Sequence, residues 1–179
     1  MGVGVRVCCC GRSRAILPSD RLESLRGDAE KRAPQERGVD MADGQLVKSK
    51  IQQILMENEL TVTLAPNGFS VPYDSTAVMI NVVEQETRTL VMMYVPVLRQ
   101  VPPSPELFKY IAIEGQQYFF GSLRYIPDVD QGLVAFEQTL LGDYLDGDEL
   151  MTALAALANT GNDLDDELQK RFGGKRYVD

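Results

Sequence analysis

Two neighbouring segments limit what this chain can fold into more than anything else in it. Residues 76–84 (Thr-Ala-Val-Met-Ile-Asn-Val-Val-Glu) and 89–98 (Thr-Leu-Val-Met-Met-Tyr-Val-Pro-Val-Leu) are rich in β-branched residues, and Gln85 to Arg88 between them form a polar loop. They read as the two arms of a β-hairpin. An antiparallel sheet with one wet face alternates apolar with polar residues. Here both phases are apolar. Val78, Ile80 and Val82 oppose Ala77, Met79, Asn81 and Val83; Val91, Met93, Val95 and Val97 oppose Leu90, Met92, Tyr94 and Pro96. A sheet built on this hairpin needs cover on both faces. Helices of the same chain supply both covers, or a second copy of the chain supplies one. Pro96 cannot donate a ladder bond, so the second strand is expected to meet an edge or a bulge there.

The flanking segments supply the rest of an α+β fold. Asp43 can cap a helix to about Glu57, with Val47, Ile51, Ile54 and Leu55 on one side. Leu60, Val62 and Leu64 alternate with threonines as a short strand. Ala65-Pro66-Asn67-Gly68 then turns the chain into a short return through Phe69 and Val71. Ser104-Pro105-Glu106 is a helix start, since Ser caps, Pro suits the first turn and Glu meets the positive helix end. That helix stops at Gly115, and strands are expected over 117–126 and 132–141. A long closing helix begins near Asp146. Its apolar stripe is Leu150, Leu154, Leu157, Gly161, Leu164 and Leu168, and it ends at Gly173-Gly174, with Gly161 a candidate kink. The predicted order is α-β-β-β-β-α-β-β-α around an antiparallel sheet.

Charge and reactive residues narrow the function. Residues 1–40 carry a net +2 and residues 41–179 a net −10. An acidic body repels phosphate backbones, which argues against nucleic acid as a partner. From Met41 onward the chain has no histidine, cysteine or tryptophan, which leaves carboxylates, hydroxyls, Lys and Arg for any chemistry. Cys8, Cys9 and Cys10 are consecutive and match neither a disulfide framework nor a paired zinc motif. No apolar run approaches the roughly 20 residues that span a bilayer. Gly2 lacks the Ser or Thr at position 6 that a myristoylation motif requires, because Arg6 stands there. No membrane partner is expected, and the expected compartment is a reducing cytoplasm. Residues 1–40 show no sustained period, whereas strong periodicity begins straight after Met41-Ala42-Asp43-Gly44. They read as an extension ahead of a domain at 41–179: either sequence upstream of a true start at Met41, the reading taken here, or a disordered tail.

Three stretches carry a family resemblance. They are Val101-Pro102-Pro103-Ser104-Pro105-Glu106-Leu107, then Tyr118-Phe119-Phe120-Gly121-Ser122-Leu123, and last the closing helix from Asp148-Glu149-Leu150 through Asp163-Leu164-Asp165-Asp166-Glu167-Leu168 to Phe172-Gly173-Gly174. In order and spacing, residues 44–174 resemble the YbjN family and the CesT-like type III secretion chaperones. The resemblance implies a compact α-β(n)-α-β-β-α unit, often dimeric among the chaperones, that binds peptides or unfolded segments and has no established enzymatic activity. One departure is local. Relatives tend to carry Leu-Asn late in the middle helix, where this chain has Ile111-Ala112-Ile113-Glu114-Gly115.

Candidate sites follow from these readings. Asp143, Asp146, Asp148 and Glu149 invite a calcium or magnesium site, but they lack EF-hand spacing and suit the start of a helix. Asp163, Asp165, Asp166 and Glu167 have no nucleophile beside them and read as a solvated helix face. No catalytic, cofactor or metal residue is assigned. Met79, Met92 and Met93, flexible and polarisable, are candidates for an adaptable peptide-binding surface, joined by Tyr94, Leu98, Phe119 and Tyr125. The expected function is a non-enzymatic, chaperone-like module for a protein or peptide client, with a homodimer possible. The alternative is a regulatory subunit acting through a protein partner.

Overall fold

A computed structural model describes residues 43–177; the extension and its three cysteines lie outside that range. Asp43 caps helix α1 (Gly44–Glu57) by accepting a 2.9 Å bond from the Gln45 amide, and Val47, Ile51, Ile54 and Leu55 are buried. Strands β1 (Thr63–Ala65), β2 (Gly68–Tyr73), β3 (Thr76–Gln85) and β4 (Arg88–Arg99) follow. Helix α2 (Pro105–Ile113) starts as its residues dictate, with the Ser104 hydroxyl accepting from the Leu107 amide at 3.1 Å. A 3₁₀ turn (Glu114–Gln116), β5 (Ser122–Ile126), β6 (Leu133–Leu141) and a second 3₁₀ turn (Gly142–Tyr144) lead into α3 (Gly147–Phe172). The short strand β7 (Lys175–Arg176) closes the described chain. The fold is α+β in the expected order, with β7 added.

The strands form one antiparallel sheet in the order β1-β2-β3-β4-β6-β5, with β7 paired to β4. At Pro96 the register of β4 against β6 shifts, so the missing donor is accommodated by an irregularity between Pro96 and Leu98.

All three helices contribute to one core on one face of the sheet. Val91, Met93, Val95 and Val97 of β4 gather there with Ile51 and Leu55 of α1, Leu107 of α2, and Leu157, Leu164 and Leu168 of α3. The opposite phase of β4 (Leu90, Met92 and Tyr94) is not part of that cluster. Among the described residues, then, the helices cover one face only. Of the two covers that the sequence leaves open, helices on both faces is not the one found: α3 packs against β3, β4 and β6 on the face it shares with the other two helices.

Three local expectations also change. The strand foreseen over 117–126 begins only at Ser122. Residues 117–121 form a loop that ends at Gly121, whose φ of +80° breaks the extended run. Helix α3 runs without interruption through Gly161. A Cβ at 161 would overlap Val95 Cγ1, so the glycine is there to let helix and sheet approach. Finally, Asp165 is 3% exposed and not solvated. The Ser75 hydroxyl donates to it at 2.6 Å and the Tyr73 hydroxyl donates to Asn159 at 2.6 Å, tying the β2–β3 turn to α3. Asp163, Asp166 and Glu167 are exposed as expected.

Candidate functional site

The helix-free face is assembled by cross-strand register. One row runs Met79–Tyr94–Glu137–Ser122, the next Asn81–Met92–Thr139 and the third Val83–Leu90–Leu141. Met79, Leu90, Met92 and Tyr94 are half-buried, and Val83 and Leu141 are exposed at 36% and 41%. The centre of this face is therefore apolar and accessible, flanked by Asn81, Glu137 and Thr139. Methionine side chains adapt to differently shaped partners. Burial holds the Tyr94 hydroxyl above its ordinary pKa. Tyr177 adds to the rise, a hydrogen bond from Asn81 opposes it, and Asp130 adds a little more.

The seven residues singled out in the sequence fall in three places. Met79, Met92 and Tyr94 share the helix-free face. Met93 and Leu98 are each 1% exposed and belong to the core. For Met93 this follows from alternation. Leu98 is turned inward by the register shift after Pro96, where it pairs with Val134. Tyr125 sits on the helix side, its hydroxyl donating to the Val101 carbonyl at 3.0 Å and its ring edge-on to Phe108 at 5.4 Å. Phe119 stands fully exposed in the loop before β5, near in sequence to Phe120 (47% exposed). Val83, Leu90 and Leu141 went unnamed as site residues. For Val83 and Leu90 the signal was available, because completing the phase of Met79 and Met92 reaches both.

The acidic candidates serve local structure. Asp146 caps α3, accepting from the Glu149 amide at 2.8 Å, and Asp148 and Glu149 occupy the first turn. A groove of about 320 Å³ lies beside them, lined also by Phe120, Gln138 and Leu140. Its three carboxylates are all solvent-exposed. Among the described residues, no group of three or more His, Cys, Asp or Glu is placed to hold a metal ion. No described helix is long and apolar enough to cross a membrane.

A family model described as TY-Chap1, "T3SS (YopN, CesT) and YbjN peptide-binding chaperone 1", matches residues 44–179. No curated protein matches the chain. Among solved structures, the chain is similar to the Yersinia pestis type III secretion chaperone SycH, solved in complex with a stable fragment of YscM2. The TM-score is 0.47 at 15% identity, covering 66% of this chain and 98% of that one.

Proposed function

This chain belongs to the TY-Chap1 family of T3SS and YbjN peptide-binding chaperones, and from that premise we propose that it captures an extended or amphipathic client segment on its helix-free sheet face. The observation that carries the reading is the apolar row Val83–Leu90–Leu141 next to Met79, Met92 and Tyr94, on a face that lacks the polar alternation of a wet sheet. Capture uses side-chain contacts and, at the outer edge of β5, strand addition. The family match favours this over a regulatory subunit. The module acts without catalysis or cofactor, in a reducing cytoplasm. Its working domain is 41–179, with residues 1–40 outside it. The same apolar face also suits a second copy of the chain, and sedimentation at micromolar concentration separates a homodimer from a monomer.

Probing a peptide array with the purified protein tests the proposal. Met92→Lys should abolish capture with little change in melting temperature, because Met92 is on the accessible face. Met93→Lys, one residue on, should unfold the protein, because an unpaired ammonium would enter the core. An array on which Met92→Lys binds as well as the unaltered chain would sink the assignment of the face.

A further inference from the structure

The last described residues lie across the rim of this face. After α3, Gly173 and Gly174 both take positive φ (+74° and +88°) and return the chain to the sheet. Lys175 and Arg176 pair with Arg99 and Leu98 of β4. The Arg99 Nε donates to the Arg176 carbonyl at 3.2 Å, and the Arg176 guanidinium reaches Asp166 of α3 at 3.1 Å. Arg176 turns toward α3; Tyr177, in the turn that follows β7, is near enough to Tyr94 for its charge to raise that hydroxyl's pKa. This segment is basic, extended and aromatic, and it lies on an acidic body.

We infer that residues 175–177 form a displaceable strap, an internal stand-in for the client that occupies the β4 edge at Leu98–Arg99 and the ground beside Tyr94. The inference rests on the client reading above and adds its regulation. It also gives the client's chemistry: an extended segment with Lys or Arg next to an aromatic residue. The strap is held loosely. Two paired residues make a marginal strand, and the Arg176–Asp166 pair is exposed at 35% and 61% on its two sides, a setting where ion pairs contribute little. Beside these contacts and the Arg99–Arg176 hydrogen bond, the tether gives the segment a local concentration on the order of millimolar. A closed-to-open ratio of about ten to one would weaken a competing peptide about tenfold.

The test uses a labelled peptide of residues 173–179 (Gly-Gly-Lys-Arg-Tyr-Val-Asp) and fluorescence anisotropy. Three proteins are compared: the intact chain, a chain ending at Phe172, and full-length Gly174→Val. In the last, the positive φ and a Cβ 2.7 Å from Val101 Cγ2 and 2.8 Å from the Arg99 carbonyl should expel the strap. Both altered proteins should bind the peptide about tenfold more tightly than the intact chain. Equal binding by all three, or binding by none, overturns the strap. Peptides from the array should show the same gain and be displaced by the tail peptide. If the tail peptide shows the gain while no array peptide binds any form, the strap stands and the client reading fails.

Discussion

Gly161→Ala sets two effects of opposite sign against each other. In an exposed helix the change would stabilise by about 1 kcal/mol, the propensity difference between glycine and alanine. Here the added Cβ would overlap Val95 Cγ1 and lie 3.0 Å from Val95 Cβ. Val95 is fully buried in the central strand, paired with Phe136 of β6, and its β-branched side chain has little rotamer freedom. The strain must therefore move α3. Lifting a helix by about 0.5–1 Å forfeits a quarter to a half of each affected dispersion contact, and Leu157, Leu164 and Leu168 beside position 161 are all in that seam. Overpacking of this kind costs about 1–3 kcal/mol. The net expectation is a loss of up to about 2 kcal/mol, read as a lower urea midpoint at unchanged m-value. Val95→Ala alone should cost about 2–3 kcal/mol. Combined with Gly161→Ala it should cost at least about 1 kcal/mol less, because the methyl groups it deletes are the ones being struck. A Gly161→Ala protein more stable than its parent would refute the seating of α3 on β4.

Other consequences are as direct. Burial, with Tyr118 and Glu167 nearby, pushes the Tyr110 hydroxyl up to about 12 from 10.0. Its folded value lies above its unfolded one, so its contribution is intact below pH 10 and is lost as pH rises toward 12. An alkaline urea series should show about 2 kcal/mol, with solvent screening allowed for, disappearing across that window, and Tyr110→Phe should flatten the loss. Ser75→Ala removes the hydroxyl that donates to the buried Asp165 carboxylate; about 2 kcal/mol of stability should go with it, measured by urea denaturation. Phe119→Ser should leave stability within about 0.5 kcal/mol, since the ring is fully exposed; a larger drop in the urea midpoint would mean that something packs on it.

Patterns that depend on local periodicity were legible in the sequence. The capping of α1 by Asp43 and of α2 by Ser104, and the doubly apolar hairpin of β3 and β4, follow from residue spacing alone, as does the irregularity at Pro96. The rest depends on relations between distant segments. Tyr118-Phe119-Phe120 has strand propensity, but a Cβ at Gly121 would lie 2.9 Å from both the Glu137 carbonyl and the Phe136 ring, and the left-handed bend there delays β5. Asp165 looks like its exposed neighbours until the β2–β3 turn is placed over that side of α3. Leu98 carries the phase of an outward residue until the shift at Pro96 turns it inward. Strand β7 is two residues long, too short for any period to announce it.

Consecutive residues of β4 divide between the two faces of the sheet. Val91, Met93 and Val95 close the core beneath α3, while Leu90, Met92 and Tyr94 are left on the other side with no described helix above them. Helices on both faces would have hidden the second phase, and polar residues in that phase would have left nothing for a partner to hold. An apolar second phase in the best-anchored strand of the sheet keeps sticky side chains on a rigid base. Such a surface can accept a segment of another polypeptide with little reordering of its own backbone. It also carries a hazard, because exposed apolar strands invite unwanted association. The net −10 of residues 41–179 opposes association of like copies, and the Lys175–Arg176 strand pairs with the end of β4 and closes that stretch of its edge.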